Sequence, residues 1–250
     1  MIARVVTGHI LLLAGTAEAR ALAERLSGLP NLKVTASLAG VTSEPAPIAA
    51  ETRRGGFGGA AGLAEYLRTH AIAAVIDATH PFAARMATNA ALACTATAIP
   101  RLRLIRPPWE PVGDWHDFPD LTAAAAALPA HAHALLTTGR KETAPFAART
   151  DLTCLLRVIE PLTDLPPHIT QLTARPPFAL DDELALMRTH AITHLVSKNA
   201  GGAGRAKLDA AARLAIPILM VARSAPPPGP LAATVAEAVA WATETVGIGA

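Results

Sequence analysis

Aromatic residues are scarce. Three Trp, one Tyr and five Phe make up 4% of 250 residues, too few for a surface on which nucleic-acid bases stack. Charge of either sign is thin as well. Twenty-two Lys+Arg against 20 Asp+Glu leave +2, and a cut after Ala130 puts 11 basic and 10 acidic residues on each side. Neither half carries the basic excess of a nucleic-acid or polybasic membrane binder. Cys94 and Cys154 are the only cysteines and stand 60 positions apart. Without a C-x-x-C or a Cys/His pair at zinc spacing, neither a disulfide framework nor a structural metal is indicated. They read as two small buried hydrophobes in a reducing compartment. No apolar run reaches the 18 or more residues of a membrane span, because Pro129, His131 and His133 break the alanine-rich stretch. The segment 1–19 loosely resembles a signal peptide, but Gly8 and His9 interrupt it and its apolar core is only 10–14. A strand that begins a fold accounts for it better. The expectation is a soluble, cytoplasmic protein.

What the sequence does have is alanine, within a hydrophobic fraction of 51%, which excludes a disordered polyelectrolyte. Short apolar runs alternate with helical patterns, the signature of βα units and a parallel sheet. Strands are expected over 9–14, 32–37, 73–78 and 101–105, with helices after the first and third and over 60–69. A second series places strands at 133–137, 152–159, 169–174, 194–197 and 216–222, with helices over 142–149, 181–189, 205–214 and 232–246. Between them, the stretch from Pro107-Pro108-Trp109 through Trp115 to Pro119 is too irregular for an element interior and reads as a linker or lid.

The two series resemble each other. Arg68-Thr69-His70-Ala71-Ile72 recurs as Arg188-Thr189-His190-Ala191-Ile192, each time at a helix end feeding an apolar strand. Leu11-Leu12-Leu13-Ala14-Gly15-Thr16-Ala17-Glu18 parallels Leu135-Leu136-Thr137-Thr138-Gly139-Arg140-Lys141-Glu142. The expected fold is therefore α/β: two Rossmann-like domains with mainly parallel sheets, over 1–130 and 131–250, and a ligand cleft between them.

Ligands of such sheets bind at the carboxyl ends of the strands. Ala14-Gly15-Thr16-Ala17-Glu18 is either a plain βα turn with Glu18 complementing the helix dipole or a seat for an anion at the helix N-terminus. It lacks the G-x-G-x-x-G fingerprint. The ribose-gripping acid expected about 20 residues on is also missing; Ser37 stands there, no carboxylate comes before Glu44, and Arg53 and Arg54 follow. A nicotinamide cofactor bound here would be NADP rather than NAD. Gly55-Gly56-Phe57-Gly58-Gly59 is the densest glycine run, where backbone can approach a flat or phosphorylated ligand and Phe57 can lie against a ring. Its Gly56-x-Gly58-x-x-Ala61 pattern carries little, because no strand is expected before it. Asp77-Ala78-Thr79-His80-Pro81-Phe82 ends the third strand with a polar cluster. There His80 is either a general acid or a partner of the turn that Pro81 sets. Ser197-Lys198-Asn199-Ala200-Gly201-Gly202-Ala203-Gly204 holds the matching place in the second series. With Lys198, Lys207, Arg140 and Lys141 it makes either an anion-binding rim or a solvated helix start. His131-x-His133 and His116-Asp117 are too sparse for a metal site.

In this order the segments resemble the precorrin-6A reductase family of cobalamin biosynthesis. The pieces are Leu-Ala-Gly-Thr-Ala-Glu-Ala-Arg (13–20), Ser-Leu-Ala-Gly (37–40), Gly-Gly-Phe-Gly-Gly (55–59), Asp-Ala-Thr-His-Pro-Phe-Ala (77–83), Thr-Gly-Arg-Lys-Glu (138–142) and Ser-Lys-Asn-Ala-Gly-Gly (197–202), with Lys207-Leu208-Asp209-Ala210-Ala211. The resemblance implies reduction of precorrin-6A to precorrin-6B with NADPH, no metal, and room for transient hand-over with neighbouring pathway enzymes. Residues and resemblance together assign the cofactor to Gly15, Thr16, Ala17, Glu18, Ser37, Gly40, Arg54, Gly56, Phe57, Gly58, Thr79, His80, Gly201 and Gly202. His80 is the candidate proton donor, with Thr79 beside it. Arg140, Lys141, Lys198, Asn199 and Lys207 would meet the acetate and propionate groups of the macrocycle. The residues alone also allow an S-adenosylmethionine-dependent methyltransferase or a non-catalytic NADP sensor.

Overall fold

The computed structural model describes residues 8–38 and 47–248. Twelve strands and eight helices follow in the order β1 (Gly8–Leu13), α1 (Ala17–Ser27), β2 (Leu32–Leu38), β3 (Glu51–Arg54), α2 (Gly59–Thr69), β4 (Ala74–Asp77), α3 (Ala84–Thr97), β5 (Arg101–Leu104), β6 (Trp115–Phe118) and α4 (Leu121–Ala127). Then come β7 (His133–Thr137), α5 (Ala144–Ala147), β8 (Thr153–Val158), β9 (Ile169–Thr173), α6 (Leu180–Thr189), β10 (His194–Lys198), α7 (Ala206–Arg213), β11 (Ile218–Val221), β12 (Leu231–Ala232) and α8 (Val235–Thr245). The expected elements lie within a few residues of these, except that the helix expected over 142–149 shrinks to the four residues of α5.

The strands form two six-stranded sheets, β12-β5-β4-β1-β2-β3 and β6-β11-β10-β7-β8-β9. Every pairing is parallel. Numbered within its own run, each sheet reads 3-2-1-4-5 across five strands, the Rossmann order. The sixth strands are exchanged in sequence: after β5 the chain supplies β6 to the edge of the second sheet, runs β7 to β11, and returns to add β12 to the first.

The compact units are accordingly 1–107 with 224–250, and 108–223. This corrects the expected division at 130/131, which falls between α4 and β7 inside the second unit. It also corrects the linker at 107–119. Trp115–Phe118 is an edge strand, Trp115 lying opposite Ile218, and Trp109 is buried in the core of the second sheet. Edge strands are short and polar on their free side, so their sequence lacks the apolar run by which inner strands are recognised. The exposed β3 escaped for the same reason. Because β3 directly precedes Gly55, the glycine run does sit between a strand and a helix.

Strands buried on both faces need apolar residues at successive positions, and β1 shows how they are divided. Ile10 and Leu12 pack with Leu22 and Leu26 of α1 and Ala238 and Ala242 of α8. Leu11 and Leu13 face the other way, onto Leu63 and Leu67 of α2 and Ala90 and Cys94 of α3. Burial pushes the thiols of Cys94 and Cys154 up to about 11, which keeps both protonated and unreactive near neutral pH.

Candidate active site

At the switch point of the first sheet, between β1 and β4, the chain turns through Gly15 into α1. Thr16 caps the helix: its Oγ1 accepts the Ala19 N–H at 3.1 Å and donates to the Ala78 carbonyl at 3.0 Å, tying the ends of β1 and β4 together. Nothing lies within 4 Å of the place a Cβ on Gly15 would occupy, so the turn is open above the helix N-terminus. Ala17 and Glu18 form the first turn of α1, and Glu18 is ion-paired with Arg106 at 2.6 Å. A shallow pocket here is lined by Thr16, Glu18, Thr79, Pro81, Leu104, Ile105 and Arg106.

The next group stands on a buried ion pair. Asp77 is 0% and Arg103 2% exposed, and they are bonded directly. Asp77 Oδ1 also accepts the Thr79 N–H at 3.1 Å and the Thr79 hydroxyl at 2.7 Å. With its proton committed to Asp77, the Thr79 hydroxyl offers an incoming group only its lone pairs. Half-buried His80 accepts the Phe82 N–H at Nδ1, 3.3 Å away, which puts the proton of the neutral ring on Nε2.

At the ends of β2 and β3, Ser37 is buried and accepts from Arg53 Nη1 at 2.9 Å. The same guanidinium donates to the carbonyls of Gly55 and Gly56 and lies 3.8 Å from the centroid of the Phe57 ring. Phe57 meets Tyr66 edge-on at 5.1 Å. The ring expected to stack on a ligand thus has one face on Arg53. Arg54, its neighbour, is exposed. Gly58 caps α2 with φ +76, and Gly55 and Gly59 also have positive φ, a conformation glycine adopts freely. Gly40 lies outside the described residues.

In the second unit the expected substrate rim is knitted into the protein. Arg140 pairs with Glu160 at 3.0 Å and Lys198 with Glu142. Lys207 donates to the Gly204 carbonyl and lies 4.5 Å over the Trp109 ring. Asn199 is buried and holds the backbone of Trp109 from both sides, accepting its N–H at 2.8 Å and donating to its carbonyl at 3.1 Å. The Trp109 indole donates to the Gly202 carbonyl at 2.7 Å, so Gly201 and Gly202, both at positive φ, are pinned from below. Lys141 is exposed. Sequence reasoning missed Arg103, Arg106, Arg53 as distinct from Arg54, and Trp109. The alternation Arg101-Leu102-Arg103-Leu104 was a signal for the first, since a cation inside a strand of a two-faced buried sheet needs an acid partner.

Two sheets in Rossmann order, the first with an open glycine turn leading into a capped helix at its switch point, define a doubled Rossmann-type α/β protein. The chain belongs to the precorrin-6x reductase family, CbiJ/CobK, whose model matches residues 9–243. It is 48% identical to the precorrin-6A reductase of Rhodococcus erythropolis over 241 residues, 93% of this chain and 96% of that one. With the Rhodobacter capsulatus protein of the same name it shares 42% over 239 residues, covering 93% and 95%. A solved structure, the CobK precorrin-6A reductase, superposes with a TM-score of 0.89 at 40% identity, covering 95% of this chain and 97% of that one.

Proposed function

We propose that this protein is an NADPH-dependent reductase that converts precorrin-6A to precorrin-6B in the cytoplasm, with the cofactor on the first unit. One observation carries the placement. Of the two matching βα turns, only the first leads into a full helix: α1 has 11 residues and a side-chain cap, whereas α5 has four residues and none. A pyrophosphate is drawn to free N–H groups at a helix start, and Gly15 leaves the approach open. Ser37 at the end of β2, with no carboxylate in the sequence between it and Glu44, and exposed Arg54 favour NADPH over NADH.

When bound, NADPH supplies the hydride; the protein's part is to orient it, exclude water and deliver a proton. Thr79, acceptor-only toward a ligand, suits the amide N–H₂ of a nicotinamide. His80, at the same strand end as Thr79, is the proton donor of this reading, to the substrate directly or through an ordered water. Mixing protein, NADPH and precorrin-6A and following NADPH consumption tests the reading, and no consumption with authentic substrate sinks it. Arg54→Ala should raise the KM for NADPH about tenfold, as expected for one charge-assisted hydrogen bond, and leave that for NADH unchanged.

A further inference from the structure

At the carboxyl end of β7, Thr138 is 3% exposed, and among the described residues its hydroxyl has no hydrogen-bond partner. Buried hydroxyls without partners are rare in native proteins because the fold gives up their hydration and gets nothing back. Its neighbour shows the usual outcome on this strand: Thr137 Oγ1 donates to Ser197 Oγ at 3.0 Å. Valine has the same shape as threonine and would fill position 138 without the penalty, so packing alone gives no reason for a hydroxyl there.

The position of Thr138 supplies a reason. β7 and β10 are the strands at which the order of the second sheet reverses, the place where open α/β sheets take their ligands. Their pairing sets Thr137 opposite Ser197, so Thr138 and Lys198, the next residue of each segment, lie at the same end of the sheet. Gly139 follows with φ +96 and nothing within 4 Å of a would-be Cβ, so the turn just beyond Thr138 is open. We propose that Thr138 is a substrate-binding residue whose hydroxyl donates to a carboxylate oxygen of the macrocycle's acid side chains, next to the Lys198 ammonium. This rests on the function proposed above.

The test compares Thr138→Val and Thr138→Ser with the wild type in thermal unfolding, NADPH binding and steady-state reduction of precorrin-6A. Thr138→Val should melt at or above the wild-type temperature, since it removes an unsatisfied group. It should bind NADPH as the wild type does and raise the KM for precorrin-6A about tenfold, the effect of losing one hydrogen bond to a charged group. Thr138→Ser should restore the KM. A valine variant that melts lower with its KM unmoved would show a hydroxyl satisfied within the fold, and overturns the proposal. So does an unmoved KM with unchanged melting. A wild type that consumes no NADPH with precorrin-6A takes down the functional reading and this inference with it, whereas an active wild type beside an unaffected valine variant takes down only the role of Thr138.

Discussion

Asp77 gathers the Thr79 N–H, the Thr79 hydroxyl and the Arg103 guanidinium where neither charged partner is solvated. Removing one member of such a pair leaves the other charge buried and alone, which costs about 3–5 kcal/mol. Asp77→Asn should therefore lower unfolding stability in urea by that order and free the Thr79 hydroxyl to rotate. Adding Arg103→Met should recover much of the loss, because the stranded charge is then gone. If the double variant is no more stable than the single, the damage comes from Thr79 and not from the arginine. At this scale the sequence was partly legible. Asp77, Thr79 and His80 could be picked out because they directly follow an apolar strand. Arg103, 26 residues away, and the Trp109–Asn199 bond, spanning 90, depend on which strands become neighbours, which local pattern does not encode.

Helix ends show more of the fold's logic than helix interiors. α2 and α6 stop at Ala71 and Ala191, both with positive φ, and the following isoleucines donate back to Leu67 and Met187 at 3.0 and 2.9 Å. α3 ends on Ala98-Ile99 and α7 on Ala215-Ile216 with the same bonds, to Cys94 and Ala211, and α8 on Gly247-Ile248 with a bond to Thr243. These are Schellman endings, which satisfy the last carbonyls and tuck the isoleucine against the helix. The repeated Arg-Thr-His-Ala-Ile was thus read correctly as a helix end feeding a strand; its conformation is the same in both copies, His70 at φ −99 and His190 at φ −95. Four of the five sites use alanine where glycine is unstrained. A left-handed alanine costs about 1–2 kcal/mol, against about 0.5–1 kcal/mol for the extra chain freedom of glycine. Ala191→Gly should accordingly raise the urea midpoint, by up to about 1 kcal/mol in stability. A lower midpoint would mean that the alanine methyl packs for more than its strain.

Across the whole molecule, the exchanged sixth strands decide what can fold alone. The first sheet receives β12 through the Arg103 N–H to the Pro230 carbonyl at 3.0 Å and the Ile105 N–H to Ala232 at 2.9 Å, and Arg101 reaches across to the Pro228 carbonyl at 2.9 Å. Behind that strand, Ala238 and Ala242 of α8 are fully buried against the same face of the sheet as α1. Residues 1–107 alone therefore expose one side of their core, while 108–223 hold all six strands of the second sheet. By circular dichroism, 108–223 should give a cooperative melt and 1–107 should not. A cooperative melt from 1–107 would show β12 and α8 to be dispensable. Four strands of the first sheet and five of the second were readable from apolar runs and their repetition, but β3 and the partner of each sixth strand were not, because strands of two or four residues without an apolar run carry no pattern that points to one sheet rather than the other.

This arrangement also sets a timetable. A chain made from its N-terminus completes the five leading strands of the first unit and then synthesises the entire 116 residues of 108–223 before β12 and α8 emerge. At about 5–20 residues per second that is a delay of roughly ten seconds, during which the second unit can close while the first waits with β5 as an open edge. The half that carries Gly15 is begun first and finished last, so a nascent chain has its first sheet completed at the β5 edge only when the rest of the polypeptide is already in place.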